Sequence, residues 1–312
     1  YDPNHGAATL YHPYIAAKNV GHRVLAPEAI TISAPASQAV PAHEFNCQVW
    51  GNANARHNVI CVHGLTRNSH DFDFLSERLA QNSRIFCPDI PGRGQSPWLT
   101  DGTAYHYGTY VSSMIELITS QKLTQVEWVG TSMGGIIGMM IANAMPGLIR
   151  SLVLNDVGCF IPAAGLARIL AYAGAPTQFA TREEAQAALR NNMKSFGITE
   201  ERHWQHIFTH SIQTQPDGCF CLAYDPAILS ALPKTEKVED INMWSMWEAL
   251  KVIPILLIRG ARSDILLSET AQFMQSQHPQ LELQEIANTG HAPALVADDQ
   301  IATIVNWLEK RR

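Results

Sequence analysis

Residues 126–135 read Val126-Glu127-Trp128-Val129-Gly130-Thr131-Ser132-Met133-Gly134-Gly135. A short apolar run of the kind that forms a buried strand leads into Gly-x-Ser-x-Gly. The apolar stretch Met133–Ala144 then reads as a helix closed by Met145-Pro146-Gly147. A serine placed between strand and helix must sit on a sharp, strained turn with its hydroxyl exposed. A side chain at either flanking glycine would strike the neighbouring backbone, so the spacing marks Ser132 as a nucleophile.

Working outward from this turn, short apolar runs alternate with longer amphipathic ones, the pattern of a mostly parallel sheet flanked by helices. Residues 29–33 and 44–51 read as two antiparallel edge strands. Strands are expected over 58–62, 84–88, 125–129, 150–155, 253–259 and 281–287. Helices are expected over 71–81, 107–121, 133–144, 269–278 and 298–309. Between Gly158 and Lys237 the alternation stops: no β-branched run appears, and helical patterns fall at 166–172, 182–196 and 200–210. The expected organisation is an irregular N-terminal arm over 1–28, an α/β core over 29–157 and 238–312, and a helical insertion over 158–237.

Composition narrows the function classes. Of 312 residues 46% are hydrophobic and 16% charged, enough apolar mass for a large core. Lys plus Arg is 22 against 28 Asp plus Glu, a net charge of −6, which offers neither a basic footprint for nucleic acid nor a cationic face for an anionic membrane. No apolar run approaches the roughly 18 residues a spanning helix needs. The six dispersed cysteines form no disulfide or zinc spacing, and reduced thiols point to the cytoplasm. The chain opens on Tyr1 rather than Met, which is compatible with a removed leader.

A nucleophilic serine needs a base, and the base needs an orienting carboxylate. His291, in Asn288-Thr289-Gly290-His291-Ala292, follows the last strand and precedes the last helix. Asp264 follows the preceding strand in the same way and stands one helix and one strand before the histidine. It is therefore the expected acid, with Asp156, after the 150–155 strand, as its rival. The backbone N–H groups of Met133 and Leu65 are the expected oxyanion donors. His63 and Gly64 brace and permit the loop that carries Leu65. Arg93, between two glycines, either supports that loop or belongs to a surface turn. Trp244, Met246 and Trp247 either line an acyl pocket or pack the insertion on the core. His203, His206 and His210 share a helix face, but no carboxylate or cysteine completes a metal-ligand spacing.

Taken in order, His63-Gly64, Asp89-x-x-Gly92-x-Gly94-x-Ser96, Gly130-x-Ser132-x-Gly134, Ser263-Asp264 and Gly290-His291 resemble the α/β-hydrolase superfamily over about residues 29–309. The resemblance implies a mostly parallel eight-stranded sheet and makes the 158–237 insertion a cap over the pocket. Dehalogenases and epoxide hydrolases of the superfamily carry Asp at the nucleophile position, and Ser132 departs from them. Tyr224-Asp225-Pro226, Trp244-x-x-Trp247 and Arg259-Gly260-x-x-Ser263-Asp264-x-Leu266 further resemble bacterial esterases of the intracellular 3-hydroxybutyrate-oligomer hydrolase type. By this resemblance the chain is expected to be a serine carboxylic-ester hydrolase using Ser132, Asp264 and His291 on short or medium acyl esters, with no cofactor and no metal. Its partner would be a small-molecule ester; homo-oligomerisation is left open. A C–C bond hydrolase of ring-cleavage products uses the same triad, and a ligand-sensing member of the superfamily can also retain it.

Overall fold

In the computed structural model, residues 26–37, 40–230 and 238–312 are described. Nearly all of the expected arm over 1–28, and the end of the insertion at 231–237, lie outside the described residues.

The chain builds one sheet from β1 (Glu28–Ala34), β2 (His43–Trp50), β3 (His57–Val62), β4 (Ser83–Pro88), β5 (Val126–Thr131), β6 (Ile149–Asn155), β7 (Ile255–Gly260) and β8 (Leu281–Ile286). Their spatial order is β1-β2-β4-β3-β5-β6-β7-β8. β1 and β2 pair antiparallel, as do β2 and β4, while every later pairing is parallel. The expected mostly parallel, eight-stranded α/β-hydrolase sheet is what the chain forms.

Continuous apolar runs make sense here because both faces of the sheet are covered. Ile60 and Val62 of β3 join one core cluster, while Val59 and Cys61 join the other. β6 and β7 alternate likewise, with Leu152, Leu154, Ile255 and Leu257 on the first face and Val153, Leu256 and Ile258 on the second. The first face is covered by α2 (Tyr107–Ser120) and α3 (Met133–Ala144) through Met114, Leu117, Ile137 and Met139. On the second face, α1 (Asp73–Leu79) and the last helix, Asp298–Glu309, supply Leu75, Leu79, Ile301, Ile304 and Leu308.

Between β6 and β7 lie α4 (Ala163–Ala173), α5 (Arg182–Asn192) and α6 (Glu201–Ser211). α5 starts where Thr181 and Glu184 form a reciprocal capping box. Short strands also occur where the sequence showed only helical patterns and no β-branched run. Gln178–Phe179, Ile212–Thr214 and Phe220–Leu222 form a small antiparallel sheet, and Phe160–Ile161 pairs with Ile241–Asn242. Strands of two or three residues are too short to show a period in sequence.

Candidate active site

Ser132 lies between the end of β5 and the start of α3, with φ +50° and ψ −113°, a left-handed conformation rare for a residue with a Cβ. The turn is held from both sides. The Ser132 N–H donates to the Asn155 carbonyl at 2.9 Å, and the Ser132 carbonyl accepts from Gly135 and Ile136. The flanking glycines are steric requirements: a Cβ on Gly130 would stand 2.4 Å from the Gly134 carbonyl oxygen, and one on Gly134 2.0 Å from that of Val62. As the first residue of α3, Met133 carries one of the N–H groups that a helix cannot bond internally, and it opens beside the serine.

The structure brings Ser132 and His291 together, with His291 Nε2 2.9 Å from Ser132 Oγ. It does not bring Asp264 to the imidazole. The carboxylate on His291 Nδ1 is that of Asp156, at 2.8 Å, so the sequence-based choice of acid is corrected to its rival. A carboxylate only accepts, so Nδ1 carries the proton and Nε2 is left to accept from the serine hydroxyl. Asp156 is 0% exposed, and its charge is met by donors: Gly260 N–H at 2.7 Å and the Ser263 hydroxyl at 2.6 Å, besides the imidazole. Ser263 Oγ in turn accepts from the N–H groups of Ile265 and Leu266 at 3.2 and 3.1 Å. The Ser263-Asp264 pair thus contributes through its first member. Asp264 itself has a side chain 43% exposed and makes a two-pronged ion pair with Arg168 of α4, at 2.5 and 2.7 Å. Burial raises the Asp264 carboxyl, but the Arg168 guanidinium outweighs it and holds the carboxyl below its usual value.

Other strand ends complete the frame. Asn155, last residue of β6, donates through Nδ2 to Thr131 Oγ1 at 3.0 Å and to the Pro293 carbonyl at 2.8 Å, tying the serine turn to the histidine loop. After β3, His63 is fully buried. Its Nε2 accepts from Ile90 N–H at 3.0 Å, which makes Nδ1 the donor to the Gly64 carbonyl at 2.7 Å. Burial holds the ring neutral by lowering its pKa to about 4. Arg93 is fully buried rather than part of a surface turn: it donates from Nε to the Leu65 carbonyl at 2.9 Å and from Nη1 to Pro91 O and Tyr110 Oη. Its guanidinium also lies 4.9 Å from the Tyr110 ring centroid. Leu65 is thereby fixed beside Ser132, and both line one cavity.

That cavity encloses about 650 Å³ of space, counting its open mouth. Ser132 and His291 sit among Ile169, Tyr172, Met193, Phe196 and Ile207 from the inserted segment. The insertion also grips the core loops. Ser195 Oγ donates to the His291 carbonyl at 3.1 Å, and Gly290 N–H donates to Ser195 O at 2.7 Å. At its far end, Gly94 N–H donates to Ala223 O and Asp225 N–H to Gly92 O, both at 2.8 Å, while the Asp225 carboxylate accepts from Tyr105 Oη at 2.6 Å.

A strained serine bonded to a histidine bonded to a buried aspartate, all at the carboxyl ends of parallel strands, is the arrangement against which relatives can be compared. The family model described as alpha/beta hydrolase family matches residues 59–304. The chain belongs to that family and is a hydrolase. A 3-hydroxybutyrate-oligomer hydrolase from Cupriavidus necator is 36% identical over 267 residues, 83% of this chain and 91% of that protein. Among solved structures, a putative hydrolase from Rickettsia typhi superposes with TM-score 0.85 at 33% identity, covering 91% of this chain and 99% of the other. An alpha/beta hydrolase from Novosphingobium aromaticivorans superposes with TM-score 0.81 at 31% identity, covering 92% and 99%.

Within this alpha/beta hydrolase the remaining singled-out residues find plainer places. Trp247 is buried against His278 and Trp244, and Trp244 meets Phe273 edge-on at 5.1 Å; neither tryptophan lines the cavity. His206 and His210 meet His70 and Asp73 of the core, and His70, Asp73 and His210 hold potential ligand atoms within 4.8 Å of one another. The His70 and His210 rings are stacked at 3.5 Å with 16° between planes. Rings stacked in this way keep their lone pairs in two near-parallel planes, so one ion cannot lie in both, and a metal would require the rings to turn. As they stand, they knit α6 to the core, with His70 Nδ1 2.8 Å from Asp73 Oδ2. Among the described residues no helix is long and apolar enough to cross a membrane, and all six cysteines are free.

Proposed function

We propose that the protein is a serine carboxylic-ester hydrolase whose triad is Ser132, His291 and Asp156. The observation that carries this reading is the continuous chain of hydrogen bonds to the buried Asp156 from Ser132 Oγ through His291, both of which line a cavity. Ser132 Oγ attacks the ester carbonyl while His291 Nε2 takes its proton. Asp156 holds the ring tautomer and stabilises the imidazolium. The N–H groups of Leu65 and Met133 face the oxygen on which negative charge develops. The C–O bond to the alcohol breaks, the imidazolium protonates the departing oxygen, and an acyl-serine remains. Water, deprotonated by the same histidine, then adds to the acyl-serine and releases the acid.

The inserted segment acts as a cap: its apolar side chains form one wall of the cavity, which suits a small-molecule ester better than a lipid surface. The substrates are esters of short or medium acids, with hydroxyacyl oligomers supported by the Cupriavidus necator relative's name. Six free thiols suit a cytoplasmic site of action.

The test is covalent. A fluorophosphonate probe labels Ser132, and Ser132→Ala abolishes both labelling and p-nitrophenyl butyrate turnover, the latter by about 10⁴-fold or more. Label retained by the Ser132→Ala protein would refute the assignment.

A further inference from the structure

Beside the reaction cavity lies a second chamber of about 400 Å³, counting its open side. The two adjoin, since Thr66, Arg67, Tyr172, Met193 and Phe196 line both. Their charges differ. The reaction cavity is lined by Arg67 and Asp71 together, whereas among the described residues lining the second chamber Arg67 is the one charged group. The rest of its polar lining, including Asn68, Asn192 and Ser211, is neutral.

Arg67 is 6% exposed and its plane is fixed. Nε and Nη2 form a fork on Asp71, with Nε 3.0 Å from Oδ2 and Nη2 2.5 Å from Oδ1, and Nη1 donates to Ser211 Oγ at 3.0 Å. One edge of the guanidinium is spent on Asp71. One N–H on Nη1 and one on Nη2 remain, donors of the kind a carboxylate takes up. The nucleophile is close to the stem of this side chain: a Cβ built on Gly64 would stand 3.8 Å from Ser132 Cβ and 3.9 Å from Arg67 Cγ.

We propose that the second chamber is a carboxylate subsite, in which Arg67 receives the free acid of the leaving group of a hydroxyacyl ester. This rests on the ester-hydrolase reading and assigns the substrate's polarity. In a linear hydroxyacyl oligomer the terminal unit carries the carboxylate and its oxygen is the leaving alcohol, so the charge lies only a few bonds from the scissile link. Asp71, facing the reaction cavity, discourages the opposite placement. Cleavage thus starts at the acid end: Ser132 takes the acyl part, the terminal ester C–O bond breaks, and His291 returns the proton to the hydroxy acid, which leaves with its carboxylate on Arg67. Water then releases the shortened acid.

The experiment compares two substrates on the unmodified protein: the linear dimer of 3-hydroxybutyrate as its free acid and as its terminal primary amide, with internal ester cleavage followed chromatographically. The free acid is favoured in kcat/KM by about 10–100-fold, as a charge-assisted paired contact gives. In Arg67→Lys, which keeps the charge but loses the fork, that ratio falls by about tenfold. p-Nitrophenyl butyrate, which has no carboxylate, reports the reaction itself. Equal kcat/KM for acid and amide, with p-nitrophenyl butyrate turned over, would overturn the subsite alone. No turnover of any of the three would overturn the ester-hydrolase reading instead. An unchanged ratio in folded Arg67→Lys would also overturn the role given to Arg67.

Discussion

The loops that leave β6 and β7 each present an aspartate at the same edge of the sheet, yet the two carboxylates live in opposite environments. Asp156 is sealed from water, has φ +58°, and is surrounded by donors from β7, the Ser263 hydroxyl and the imidazole. Asp264 is half exposed and spends its charge on Arg168. A buried carboxylate without donors is costly, so one held by three of them is fixed in place. A surface ion pair is screened by water and contributes little. Position along the chain favoured Asp264; burial and hydrogen bonding favour Asp156.

The comparison breaks most sharply at the acids themselves. Asp156→Asn leaves an amide where the imidazole N–H needs an acceptor with charge, and kcat for p-nitrophenyl butyrate falls by about 10⁴-fold. Asp264→Asn stays within about threefold of the parent protein, since what it loses is an exposed ion pair. Steady-state kinetics on both variants decide the matter, and a reversed order would restore Asp264 as the acid. A smaller effect sharpens the picture: Ser263→Ala removes one donor from Asp156 and lowers kcat by about tenfold to a hundredfold with KM little changed, because the lost contact is a charge-assisted hydrogen bond remote from substrate.

The mildest effect concerns a buried histidine outside the reaction. His63 titrates near pH 4 in the folded protein against an ordinary value of 6.5. Between those values the unfolded chain binds the proton and the folded one does not. The stability due to neutral burial is therefore complete above pH 6.5 and is lost as pH falls toward 4. In His63→Gln the drop in unfolding free energy between pH 7.5 and 5.0, read from urea melts, shrinks by about 2 kcal/mol. An unchanged pH dependence would mean that the ring is already solvated.

Most of the frame was legible from residues alone because its signals are local. Apolar runs with turn residues mark the strands, and Gly130-Thr131-Ser132-Met133-Gly134 announces the strained serine. His291 follows its strand so closely that the loop can hardly point elsewhere. Asp156 was ranked behind Asp264 because its contact with His291 depends on lateral strand order: β6 stands between β5 and β7, a neighbourhood that spacing along the chain does not encode. Arg93 was ambiguous for a related reason. Two flanking glycines suggest a surface turn, whereas its burial depends on Tyr110 and Leu65, 17 and 28 residues away. The chamber behind Arg67 was invisible in the same sense, since Ser211, its anchor, comes from the insertion.

The grip of the insertion on the core has an engineering consequence. Ser195 holds the loop of the base, while Ala223 and Asp225 hold the glycine turn whose Arg93 braces Leu65. Swapping residues 158–237 for the corresponding stretch of another hydrolase would therefore not behave as a change of lid on an unchanged machine. A chimera that matched every wall of the pocket but lacked these two anchor points would accept the new substrate and turn it over slowly. Transplants intended to alter selectivity should carry their anchors with them.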